Sequence, residues 1–454
     1  MRTGSSAPWS NTDGVIPSRH TPRELLGRIV TVLALVGVVA VPAMGALAAQ
    51  SCGGTHWVGS WMAAPHDSTA AMAATPAGGA PTDPPSGIGD RRTFENQTFR
   101  MMVSPHLAGT GVRVQLTNRF GWVPITIDDV HIAVRGNGAS ISAGSDHMLS
   151  FGGRTSTTIG AGYDVMSDPI GMAVVPFQDL AVSFHLSGAS PLDLHQDAEG
   201  RQYATALRSG DHSGQQDGSA FTETLSSWLV VAGVEVQVPR SDGALVALGD
   251  SLTDGIGSTF DADQRWPDQL ARRAMGQRLT SAVSILNAGV SGNQVTKDNV
   301  ASHGDEIRGA GLSAYNRVQA DMLGRGVTDV VVAVGLNDLF APNSDDPASA
   351  VIDGYKAIVA RARQAGLRVF GTTLTPAGQG GDFEARRQAI NEWVRARGSF
   401  DGVFDFDAAV RDPANPSHIR PDLTDEVVHL NDAGYRVLAE TVDLGALQGT
   451  GCLA

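Results

Sequence analysis

Apolar positions recur along this chain in two different rhythms. Between Phe94 and about Pro239 the apolar runs are short and rich in Val, Ile, Phe and Thr: Thr98 to Val103, Val112 to Thr117, Ile125 to Ala133, Ala181 to Leu186 and Trp228 to Val238. Val112-Arg113-Val114-Gln115-Leu116 alternates apolar with polar, the pattern of a half-buried strand. Glycine-containing turns separate several runs, and the pattern predicts a β-sandwich of jelly-roll type over 53–240. Residues 66–91, rich in Ala, Pro, Gly and Asp, read as a long loop. From Ala244 the rhythm changes. Ala244 to Leu248, Val283 to Leu286, Val330 to Val334, Val369 to Thr372 and Val403 to Phe406 are buried-type strands. Trp266 to Met275, Ala348 to Ala365 and Glu384 to Arg397 are helical stretches between them. Strand alternating with helix predicts an α/β domain over 241–446, a doubly wound parallel sheet with helices on both faces. A polar linker at Arg240-Ser241-Asp242-Gly243 marks the change, and 447–454 is a tail.

The first 49 residues fit neither rhythm. Arg19, Arg23 and Arg28 flank an apolar run from Ile29 to Val41, Pro42 breaks it, and Ala46-Leu47-Ala48 offers small residues at cleavage spacing. This is the layout of an export signal over 1–49, with secretion or the cell envelope as destination; an uncleaved anchor is the alternative reading. A cleaved signal implies no stable membrane insertion. Gln50 and Ser51 before Cys52 make a poor lipoprotein site. The cysteines, Cys52 and Cys452, stand at opposite ends of the expected mature chain, where export permits a disulfide between them; two unrelated thiols are the other reading. A net charge of -14 argues against a nucleic-acid partner, which needs a basic surface. No histidine spacing marks a metal site, and no phosphate loop or dinucleotide fingerprint is present, so neither metal nor cofactor is expected.

Candidate chemistry gathers where strands of the second half end, the usual place for sites in open α/β sheets. Gly249-Asp250-Ser251-Leu252 follows the first strand and offers Ser251 as a nucleophile on a tight turn, with a backbone N–H for an oxyanion. Asn287 to Asn293 follows the second strand, and Gly292 can present a bare N–H. Gly335-Leu336-Asn337-Asp338 follows the third, with the Asn337 amide as a further donor. Before the last helix, Asp425-Glu426-Val427-Val428-His429 offers His429 as general base and an upstream carboxylate to orient it. Each block alone also reads as an ordinary turn. Asp250, Asp254 and Asp338 read as supporting groups, Trp266 as core, and His303 and His418 have no assigned role. No Gly-x-Ser-x-Gly elbow surrounds Ser251.

Taken in order, the four blocks resemble the GDSL/SGNH hydrolase family over roughly 243–445. The resemblance implies a flavodoxin-like three-layer domain with Ser251 as nucleophile, Gly292 and Asn337 with Ser251 as oxyanion hole, and His429 as base. Trp57, Trp61, Phe94 to Thr98 and Leu116 to Gly121 also resemble a secreted subfamily in which a β-sandwich precedes the hydrolase domain. One departure stands out: the family's Asp three residues before the histidine is Glu426 here, with Asp425 beside it, and Leu430 follows where Pro is common. Glu426 is favoured by spacing, and Asp425 stays open. The implied function is hydrolysis of carboxylic esters through an acyl-enzyme, with an acylated carbohydrate among the substrates considered. Acyl transfer by the same Ser–His pair, and a non-catalytic carbohydrate-binding protein, are the competing classes.

Overall fold

The computed structural model describes residues 53–66, 94–190, 192–196, 199–277, 281–298 and 311–447. The expected signal at 1–49, both cysteines, most of the 66–91 loop, the end of the tail and His303 lie outside the described residues.

The second half is built on a five-stranded sheet in the order Val283–Gly289, Gly243–Gly249, Val327–Ala333, Arg368–Thr372, Gly402–Phe404. Every neighbouring pair is parallel. Strand Gly243–Gly249 is buried throughout, and its side chains alternate between two cores as period-two geometry requires. Val246 and Leu248 face Val318, Val351, Tyr355, Ile358 and Ile390 from the helices on one side. Leu245 and Ala247 face Trp266, Leu270, Tyr435 and Leu438 from helices Trp266–Gly276 and Asp432–Thr441 on the other. This is a three-layer α/β arrangement. Register fixes where loops emerge: Gly249 is level with Gly289 on one neighbour and with Ala333 on the other. The turns carrying Ser251, Gly292 and Asn337 therefore leave the sheet side by side.

The first half holds two principal antiparallel sheets. One runs Thr55–Met62, Val231–Pro239, Val112–Asn118, Tyr163–Met166. The other centres on Gln97–Val103, Leu180–Leu186 and Ile125–Val134, with shorter strands at its edges. Val58, Val114 and Val234 of the first share a core with Phe99, Val182 and Ile127 of the second.

Three elements depart from expectation. Strand Thr55–Met62 was not foreseen, because Gly59 and a bulge between Gly59 and Trp61 break its alternation. The run from Trp228 splits at Val230, whose φ of +62 is unusual for a β-branched residue. The last sheet strand ends at Phe404, and Phe406 opens helix Phe406–Val410 behind the Asp405 cap. No helix among the described residues is long and apolar enough to cross a membrane.

Ala49–Ala454 is one compact unit, and the two halves meet in buried polar ties. Gly59 N–H donates to the Arg325 carbonyl at 2.8 Å. Buried His106, from the first half, has Nδ1 2.6 Å from the Ile285 carbonyl of the parallel sheet and Nε2 3.2 Å from Asp268. Since Nδ1 faces a carbonyl it is the donor. Asp268 also takes the Arg265 guanidinium in a bidentate pair; burial raises its pKa, and Arg265 and His106 together outweigh this and hold it well below the usual carboxylate range. Removing the imidazole in His106→Ala leaves a buried carbonyl unpaired and is expected to cost about 1–3 kcal/mol. Urea denaturation checks this, and a change within error would show that the ring does not tie the halves.

Candidate active site

Ser251 opens a four-residue helix, Ser251–Asp254, directly after strand Gly243–Gly249. Asp250 caps it, its carboxylate accepting from Leu252 N–H at 3.1 Å and its carbonyl from the N–H groups of Thr253 and Asp254, which places the half-buried Ser251 at the start of the helix. The helix can sit on the strand end only because position 289 lacks a side chain: a Cβ on Gly289 would lie 2.2 Å from Asp254 N. Below, buried Trp266 donates its indole N–H to Thr253 Oγ1 at 3.2 Å, which gives this expected core residue a polar task.

His429 sits on the loop before helix Asp432–Thr441. Its Nε2 is 3.0 Å from Ser251 Oγ, and its Nδ1 is 2.8 Å from Glu426 Oε1. The carboxylate faces Nδ1, so Nδ1 carries the proton and Nε2 is left to accept from the serine. Of the two carboxylates left open by the sequence, the structure brings Glu426 to the ring and not Asp425. Thr424 Oγ1 shapes the loop through the carbonyls of Glu426 and His429. The loop is clamped to the nucleophile side by residues that carried no signal of their own. Asp432 accepts from Thr259 N–H at 2.8 Å and from its hydroxyl at 2.6 Å, and Tyr435 donates to the Ile256 carbonyl at 2.6 Å.

Gly292 lies in a turn closed by Asn293 N–H on the Val290 carbonyl, and its φ of +75 favours glycine. Asn337, in helix Leu336–Phe340, donates one amide hydrogen to the Asn293 carbonyl at 3.0 Å. That bond fixes the Asn337 side chain beside the Gly292 turn, and the amide carries a second hydrogen. Asp338 braces the same region by accepting from Val295 N–H, Thr296 N–H and the Thr296 hydroxyl, while burial raises its pKa.

The residue that sequence reasoning missed most completely is Arg317. Fully inside the protein, it donates to the carbonyls of Gly249 at 2.7 Å and Ala288 at 2.6 Å, to Asn293 Oδ1 at 3.1 Å and to Asp321 at 3.0 Å. No motif announces an arginine on the buried side of an eight-residue helix. An open polar cleft of about 500 Å³, lined by residues including Arg135, Asp179, Asp261 and Asp263, contains none of the expected site residues. Among the described residues no cluster of His, Cys, Asp and Glu could hold a metal.

The family model of GDSL-like lipases and acylhydrolases matches residues 247–437, the stretch that holds all four blocks. The chain carries a GDSL-like lipase/acylhydrolase domain. Solved structures similar to it include a member of the lipolytic G-D-S-L family from Veillonella parvula DSM 2008, at 17% identity over 44% of this chain and 94% of that one, with a TM-score of 0.33. The psychrotrophic esterase EstA from Pseudoalteromonas sp. is 14% identical over 44% and 94%, with a TM-score of 0.34. The acetyl xylan esterase AlAXEase is 21% identical over 44% and 96%, with a TM-score of 0.32. No protein of curated function matches the chain.

The Asp250 cap of this GDSL-like domain makes stability depend on pH. Burial pushes the Asp250 carboxyl up to about 7; the Leu252 N–H opposes this, the charge of Asp338 adds to it, and Arg317 opposes it. A carboxyl whose pKa is higher folded than unfolded contributes stability that is complete below its unfolded value and is lost as pH rises through the folded value. Asp250→Asn, which keeps the cap acceptor without the charge, is therefore expected to gain melting temperature relative to the natural protein as pH rises from 4.5 to 7.5. Parallel melting curves over that range would refute the assignment.

Proposed function

We propose that this protein is an exported serine esterase that hydrolyses carboxylic esters through an acyl-enzyme. The observation that carries the reading is the His429 ring, within 3.0 Å of Ser251 Oγ on one side and 2.8 Å of Glu426 on the other. In this reading Ser251 Oγ attacks the ester carbonyl as His429 Nε2 takes its proton, and Glu426 stabilises the imidazolium that forms. The oxyanion is received by the N–H groups of Ser251 and Gly292 and by the second amide hydrogen of Asn337. His429 returns the proton to the leaving alcohol. Water then attacks the acyl carbon as the same nitrogen takes its proton, and the ring passes that proton to Ser251 Oγ as the bond to the acyl group breaks, releasing the acid and free Ser251. Export rests on the basic flank and apolar run before residue 49, and the two antiparallel sheets support reading the first half as the β-sandwich of the secreted subfamily. Short acyl groups on a carbohydrate are the substrate class we infer from that resemblance.

Release of p-nitrophenol from esters of increasing acyl length tests the reading. Ser251→Ala and His429→Ala are each expected to lower kcat/KM by about 10³-fold or more. Activity equal to that of these variants at every chain length would overturn it. The carboxylate is tested separately. Glu426 is 46% exposed, so water shares its task, and Glu426→Gln is expected to lower kcat by about 10- to 100-fold rather than more. Asp425→Asn is expected to stay within about twofold. The reverse order would transfer the orienting role to Asp425.

A further inference from the structure

Asp254 lies three residues after the nucleophile, at the end of the short helix, and is almost completely buried. Its Oδ2 accepts from both the N–H of Ser291 at 3.0 Å and the Ser291 hydroxyl at 2.9 Å. Ser291 immediately precedes Gly292, so one carboxylate fixes the residue that sets the direction of the Gly292 N–H. The other oxygen, Oδ1, is 2.9 Å from His195 Nε2.

His195 belongs to the first half of the chain. It is held by a two-strand pairing opposite Trp228, with ring centroids 5.5 Å apart, and its Nδ1 is 2.7 Å from the Ala64 carbonyl. A carbonyl on one side and a carboxylate on the other make both nitrogens donors, so the ring is oriented at each end. Behind it His66 accepts the Gln196 N–H on Nε2 at 3.0 Å, and burial, then the neighbouring His195, pushes its pKa down to about 3. His66 is thus a neutral packing partner 5.7 Å from the His195 ring.

We infer that His195 and Asp254 are positioning residues through which the β-rich half sets the oxyanion turn. The inference rests on the esterase reading for its consequence in catalysis. The chain of contacts runs from the Ala64 backbone through His195 and Asp254 to Ser291, and so to the donor at Gly292. The β-rich half is then a working part of the active site rather than an appended module, and substrate turnover depends on it without its touching substrate.

The test uses the full chain with Asp254→Asn, His195→Gln and their double variant. An Asn at 254 cannot serve the two Ser291 donors and His195 as a carboxylate does. Expected is a fall in kcat for p-nitrophenyl acetate of about 10-fold or more with KM within about twofold, since the oxyanion forms only after binding. The double variant is expected to fall no further than Asp254→Asn, because both act along one path. Val114→Ala, a core truncation in the same half, supplies the control: lower melting temperature with kcat unchanged. A second readout needs no substrate. Amide hydrogen exchange over residues 289–296 is expected to quicken in both single variants while the strands of the first half keep their protection. Unchanged kcat, or strictly additive losses, would overturn the inference even with Ser251-dependent hydrolysis intact. A natural protein without Ser251-dependent hydrolysis would sink the esterase reading instead, and unchanged exchange would then still reject the positioning role.

Discussion

A single buried guanidinium holds the ends of the two strands from which the site grows. Arg317 spans the carbonyls of Gly249 and Ala288, one register step apart on adjacent parallel strands. These carbonyls lie near the strand ends, where Gly249 also accepts the Val290 N–H at 3.2 Å, and the guanidinium adds a second, charged donor to it. The same side chain reaches Asn293, and through it the turn that contains Gly292. A buried cation needs compensating charge. Burial lowers the Arg317 pKa, while Asp321, Asp254 and Asp250 favour its charged form. The aspartates around the nucleophile turn therefore do two things at once: they shape backbone, and they make a buried arginine tolerable.

That arrangement explains why so much charge lies inside the molecule. Asp321 pairs with Arg317 and also with Arg119, which comes from the end of a strand in the first half. Arg265 and Asp268 lie beside His106 at the same boundary. Buried ion pairs of this kind contribute little net stability compared with apolar packing, because desolvation offsets the attraction. Their effect is on geometry. Arg119 with Asp321, and His106 beside Asp268, are the contacts among these that join the β-rich half to the α/β half.

How much of this could be read from the chain alone depends on how local each signal was. Strand Gly243–Gly249 and the helices around it announce themselves by uninterrupted burial and by period, and the four blocks follow strand ends in order. Ser251 and His429, placed by those blocks, are 178 positions apart and in contact. Spacing favoured Glu426 but left Asp425 open, because neighbours on a loop point in directions set by the backbone, and only coordinates give that. Thr55–Met62 was hidden by its glycine and bulge. His195 and Arg317 had no chance of being found: each is a lone polar residue whose partners are distant in sequence, such as Asp254 for the first and Gly249 for the second.

Glu426 and His429, by contrast, come from one short stretch, three residues apart along the chain. Neither is donated by a separate strand, as Ser251 is. Their mutual geometry is thus a local property of the loop, insulated from drift in the sheet or the distant core. It also ties side-chain length to loop shape. An aspartate at 426 would stop one methylene short of the ring unless the backbone came nearer, so the residue at 426 and the course of the loop are set jointly.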